Sequence, residues 1–207
     1  MDATTTADLA LSRDSIEKRL TFLREASRLK EVMRRAFTIN GLQESTAAHS
    51  WGLCLMVMTF ADHLPPEINL IKLFKLCILH DLGEAIHGDI PATSLAASAG
   101  KSAQERADLI SIMTTLPSEL QSEFLTLWDD YENATSPEGQ LAKAFDKLET
   151  ISQHINGQNP ANFEHDFNLR YGTKYTSASP LTQAIREVLD ENTTRLSELS
   201  IISAQKL

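Results

Sequence analysis

The chain has 207 residues, 42% apolar and 23% charged with 6% aromatics, the proportions of a globular domain, which set aside disordered, fibrous and membrane classes. Nineteen Lys and Arg stand against 28 Asp and Glu, a net charge of −9, so a nucleic-acid polymer held by bulk charge is not expected and a phosphate ligand needs locally placed cations. Eight Gly and seven Pro leave few of the tight turns that many short strands require, and the expected class is an all-α helical bundle.

The opening MDATTTADLALSRDS carries neither a basic stretch nor a long apolar one, and the longest apolar run, from Leu53 to Ala61, is about half a membrane span. A cytoplasmic protein with no membrane attachment is expected. Residues 1–12 read as a flexible terminus and 13–207 as one domain. Asp14, with Glu17 at N3, is placed to cap a first helix, and Ile16, Leu20, Leu23, Leu29, Val32, Met33 and Phe37 recur at helical spacing as far as Phe37. Glu44, Ser45 and Thr46 open a second helix that stops before Pro65-Pro66, with His49 in its first turns.

Pro66 suits the first position of a third helix, whose INLIKLFKLCILH is apolar almost all round and delivers His80 and Asp81 at its end. Gly83, Gly88 and Pro91 then break the chain into a short turn carrying Glu84, His87 and Asp89. Amphipathic stretches follow from Gln104 to Leu116 and from Ser118 to Tyr131. Ser136-Pro137 starts a helix through Ile155 that bears Asp146. Residues 157–179 form a long loop with at most one short helix, and Leu181 to Leu199 closes the chain. Cys54 and Cys77 read as buried free thiols.

Two His-Asp doublets occur. His165-Asp166 falls in the polar loop and reads as a solvated pair. His80-Asp81 ends a buried helix, where polar side chains cost several kcal/mol unless they are hydrogen-bonded or bound to a cation. Imidazole nitrogen with carboxylate oxygen suits a divalent Mn, Co, Zn, Ni or Fe ion. Adjacent helical residues point about 100° apart, so both reach one ion only from a helix end, and Gly83 allows the chain to turn there. Glu84 lies one turn on, in reach of such an ion. The alternative is that His80, Asp81 and Glu84 merely cap the helix and pair with Lys72 or Lys75.

From ESTAAHSW through LCILHDLGEAIHGDIPA to KAFDKLE, over about residues 29–155, the chain resembles the HD-domain metal-dependent phosphohydrolases, in particular their 5′-deoxynucleotidase branch. The resemblance implies an HD-type bundle in which His49, His80, Asp81 and Asp146 hold one divalent metal. It implies too that Glu84 activates water, that Asp89 lies near the sugar or the attacking water, and that Arg34, on the first helix, binds phosphate. A nucleoside 5′-monophosphate is the implied substrate, and a homodimer is allowed. Another phosphoester (a cyclic nucleotide, a nucleoside triphosphate or guanosine tetraphosphate) and a non-catalytic, metal-stapled binding module are the alternatives. Two positions depart from the branch: Arg35 stands where Trp is typical, and Ala48 precedes the first His where an acid is common. The second departure means that some other residue must orient His49. His87 is expected at the surface or behind the ligands, and Lys147 in solvent.

Overall fold

The computed structural model describes residues 11–89 and 100–204. The expectation for residues 1–10 and the Ile90-Pro91 end of the Gly-Asp-Ile-Pro run lie outside them. Helix α1, Arg13–Ala26, is capped by Ser12, whose hydroxyl accepts from the Ser15 N–H, so the cap falls within the segment expected to be flexible and two residues before Asp14. A 3-10 turn, Ser27–Lys30, follows.

The helix does not reach Phe37. Strand β1, Met33–Phe37, pairs antiparallel with β2, Gln43–Ser45, across a turn in which Gly41 takes φ +77°, a left-handed conformation that glycine adopts without strain. Arg34 is therefore on a strand. The helical spacing of Val32, Met33 and Phe37 was fortuitous: Asn40-Gly41 is a turn, and Ala36 and Glu44 are the side chains that the two strands bury. Ile16, Leu20 and Leu23, which recur at helical spacing, are exposed, and α1 buries Phe22 instead.

Helix α2, Thr46–Thr59, is capped by Ser45, and α3, Leu70–Leu79, by Asn69 rather than started at Pro66, because the chain makes a turn at Pro65–Ile68 first. Leu73, Leu76 and Cys77 of α3 are completely buried, about 1.5–3 kcal/mol for each leucine. The short α4, Glu84–His87, leads through the undescribed segment to α5, Lys101–Ile112, and α6, Ser118–Asn133. Helix α7, Pro137–Asn156, has the expected Ser136 cap and N1 proline and lies at the centre, packed against α2, α3, α6, α8 and α9. Residues 157–179 hold a 3-10 turn, His165–Phe167, and a four-residue helix α8, Thr173–Thr176, before α9, Pro180–Ala204. The fold is helical, with the hairpin as its sheet among the described residues. No helix there is long and apolar enough to cross a membrane.

Gly83 serves packing rather than backbone freedom. Its φ is −59°, ordinary for any residue, but a Cβ built on it would come 2.3 Å from the Glu105 carbonyl oxygen of α5. Gly83→Ala is expected to cost about 2 kcal/mol, as overpacked sites do, read as a lower thermal midpoint. An unchanged midpoint would mean that α5 gives way freely.

Candidate metal and phosphate site

His80 occupies the C-cap of α3, where the helix ends and the chain turns, so His80 and Asp81 escape the divergence of neighbours inside a helix. The Trp128 indole of α6 donates to the His80 carbonyl at 3.0 Å and clamps this turn. The His80 Nδ1–H donates to the Cys77 carbonyl at 2.9 Å, leaving Nε2 as the nitrogen with a lone pair. That Nε2 is buried and makes no hydrogen bond, although Asp81 Oδ2 lies 2.9 Å away. An unpaired buried imidazole nitrogen is costly unless something binds there.

His49, completely buried on α2, brings its Nε2 to 3.9 Å from Asp81 Oδ2 and 3.1 Å from Asp146 Oδ1, which is itself 4.0 Å from His80 Nε2. Donor atoms of His49, His80 and Asp81 all lie within 4.8 Å of one another, the scale set by ligands at about 2.1 Å from a shared ion. The mixed imidazole and carboxylate set fits a divalent cation. All four residues expected to share a metal are thus together, drawn from α2, the α3 end and α7. Lys72 pairs with Asp130 and Glu138, and Lys75 with Glu123, so the capping alternative loses the partners it named.

Sequence reading missed Glu149. Asp146 and Glu149, three residues apart on α7, share a face, and Glu149 Oε2 accepts from His49 Nδ1. Glu149 supplies what Ala48 lacks. Gly52, one turn after His49, makes room for it: a Cβ there would sit 2.6 Å from Glu149 Oε1. The signal was present in KAFDKLE as an i, i+3 pair of acids. On the other side of Asp146, Tyr131 OH at 2.5 Å and Lys147 Nζ at 2.7 Å both donate to Oδ2, leaving Oδ1 towards the histidines. Lys147 is thus largely buried against Asp146 and not solvated.

Burial pushes Asp146 up, but Lys147, His49 and His80 outweigh it and hold the carboxyl well below its usual range. Burial and Arg34 push His49 down, yet Glu149 and Asp146 lift it to about 9. Glu84, at the start of α4, is pushed up to about 9 by burial and by Asp81 and Asp89, against Lys101. Lys101 Nζ lies 3.5 Å from Glu84 Oε1 and 3.8 Å from Asp89 Oδ1, a cation that sequence reading did not single out. Arg34 Nη1 donates to Glu44 at 3.0 Å and Nη2 to Thr150 at 3.0 Å. Burial lowers its pKa, but Asp81, Asp146, Glu149 and Glu44 more than reverse that and keep it charged.

Arg34, Arg35, His80, Asp81, Glu84, Asp89, Lys101, Asp146 and Lys147 line one cavity of about 980 Å³. His87 is largely exposed and pairs with Asp108 at 2.6 Å, a surface role. The exposed Asp166 carboxylate accepts from half-buried Ser197, while His165 packs on Phe163.

A family model described as an HD domain matches residues 26–186. The chain is 31% identical over 140 residues to the 5′-deoxynucleotidase HDDC2 of Danio rerio, covering 67% of this chain and 68% of the relative. It is 31% identical over 168 residues to the 5′-deoxynucleotidase hdd1 of Schizosaccharomyces pombe, covering 78% and 81%. Among solved structures, one described as a predicted metal-dependent phosphohydrolase from Magnetospirillum magnetotacticum superposes with TM-score 0.76 at 20% identity, over 88% of this chain and 97% of that one. A protein of Pyrococcus horikoshii does so with TM-score 0.64 at 26% identity, over 86% and 98%.

Proposed function

The chain belongs to the HD-domain family, and on that footing we propose that it is a metal-dependent phosphohydrolase that cleaves nucleoside 5′-monophosphates, deoxynucleotides among them, to nucleoside and phosphate. His49, His80, Asp81 and Asp146 hold one divalent ion of the Mn, Co, Zn, Ni or Fe type. Such an ion supplies Lewis-acid polarisation of a phosphoryl oxygen and acidifies water beside it. Protonated at neutral pH in the metal-free fold, Glu84 would be ionised by a dication held beside it and would then take the proton of the attacking water, with Asp89 next to it and Lys101 between the two carboxylates. Arg34, fixed by Glu44 and Thr150, offsets charge on the phosphoryl oxygens. A local cluster of cations answers the acidic composition.

The observation that carries this reading is the buried His80 Nε2, which makes no hydrogen bond and faces three further ligand atoms at one end of a cavity lined by Arg34, Lys101 and Glu84. A phosphate-release panel on the metal-loaded protein tests it: release from dAMP and dCMP, and none from cyclic nucleotides, triphosphates or guanosine tetraphosphate, is expected. The reverse pattern refutes it. Because Glu149 orients His49, Glu149→Gln is expected to weaken metal binding by about 10–100-fold while the fold persists. Unaltered affinity in a metal titration would show that His49 needs no such support.

A further inference from the structure

The cavity is far larger than a phosphate group needs, and its two ends differ in chemistry. Helix α7 runs along it, presenting Asp146, Thr150 and His154 at four-residue intervals. At 1.5 Å rise per residue, His154 stands about 12 Å along the helix from Asp146, the length scale of an extended mononucleotide. Charged groups crowd the Asp146 end. At the His154 end the lining comes from the 157–172 segment, where Phe163 and Phe167 face His154 beside Pro160, Asn162 and Glu164, while Tyr171 stands nearer Lys147.

This wall is held in place before any ligand arrives. The His154 Nδ1–H donates to Asn168 Oδ1 at 2.8 Å, and Asn159 donates to the His154 carbonyl at 2.6 Å. Buried Arg186 of α9 donates to the carbonyls of Asn168 and Tyr171 at 2.7 and 2.6 Å. Phe167 and Tyr171 pack on each other, with ring centroids 4.9 Å apart, and Lys147 Nζ lies 5.2 Å from the Tyr171 ring. Phe163 meets His154 edge-on at 4.9 Å. It is only partly covered, so part of its surface remains available to the cavity. A flat heteroaromatic ring with two π-faces suits such a wall, and aromatic stacking contributes binding without demanding a particular hydrogen-bond pattern.

We propose that the His154 end of the cavity is the nucleobase subsite, with the base stacking on Phe163 while the phosphate lies about 12 Å away at the Asp146 end. The assignment rests on the nucleotide reading of the site and adds where the base is held and by what. Phe163 is then a specificity-determining residue that acts on nucleotide binding and leaves the chemistry at Glu84 alone.

The test compares the metal-loaded wild type, Phe163→Ala and Phe163→Trp on dAMP and on deoxyribose 5-phosphate, which lacks the base. Phe163→Ala is expected to lower the preference for dAMP, the ratio of the two kcat/KM values, about tenfold through KM, and Phe163→Trp to restore it. An unchanged ratio, or an equal loss on both substrates, overturns the subsite. Equilibrium binding of deoxyadenosine provides a second reading that needs no turnover: about tenfold weaker binding to Phe163→Ala supports the subsite, and equal binding refutes it. A wild type that binds deoxyadenosine through Phe163 but releases no phosphate from any nucleotide would instead defeat the hydrolase reading and keep the base site.

Discussion

Asp81→Ala is expected to strip the protein of its divalent ion and to lower phosphate release by about a thousandfold or more, the scale on which losing a metal's electrostatic contribution falls. The carboxylate lies 2.9 Å from His80 Nε2 and 3.9 Å from His49 Nε2, so its loss leaves two neutral imidazoles and one carboxylate to hold a dication. Asp81 is the most exposed of the four and lies at a chain turn held by backbone contacts, including its own carbonyl accepting from the Glu84 N–H at 3.0 Å. The helices therefore stay assembled, and circular dichroism of the variant should match the parent. Elemental analysis with activity reads the result. Full metal content in the variant would remove Asp81 from the ligand set.

Glu84→Gln separates proton transfer from metal binding. The variant is expected to retain its ion and to lose about 100-fold in kcat, the range for a positioned general base. It also changes the chelated protein in a direction fixed by linkage. Glu84 stands at about 9 in the fold against 4.5 for an ordinary glutamate. Between those values the folded chain holds a proton that the unfolded chain has released, so stability falls as pH rises from about 4.5 to 9. Glutamine cannot ionise, and the chelated variant is expected to melt above the parent at pH 8 and level with it near pH 5. His49 acts in the same direction: raised from 6.5 to about 9, it stabilises the fold below about 6.5, and that contribution fades as pH climbs through 9. A shallower slope therefore persists in the variant. A parent that gains stability between pH 6 and 8.5 would contradict both assignments.

The four candidate ligands came from the resemblance to the HD-domain family, while the sequence itself placed them on their elements: His49 one turn after a Ser45 cap, His80-Asp81 where an apolar helix stops, and Asp146 inside a helix opened by Ser136-Pro137. Arg34 was placed on the wrong element because apolar spacing alone does not distinguish a helix from a helix followed by a hairpin. The Asn40-Gly41 turn pairs β1 with β2, and pairing across a turn leaves no mark on the spacing before it. Gly83 was recognised as necessary for the wrong reason, since the contact with the Glu105 backbone joins segments 22 residues apart. Glu149 stands inside KAFDKLE, but nothing local marks it, because its partner His49 lies 100 residues away. Lys147 shows the reverse error: a side chain next to Asp146 diverges on an ideal helix, but a long flexible ammonium returns to the carboxylate when Tyr171 closes the other side.

The convergence of His49, His80, Asp81 and Asp146 on a single ion is tested most directly by anomalous diffraction from crystals of the protein loaded with manganese. One strong peak per chain within ligand distance of His49 Nε2, His80 Nε2 and the Asp81 and Asp146 carboxylates is predicted. A protein saturated with manganese whose only peaks lie elsewhere, with His80 Nε2 still unbound, would contradict it.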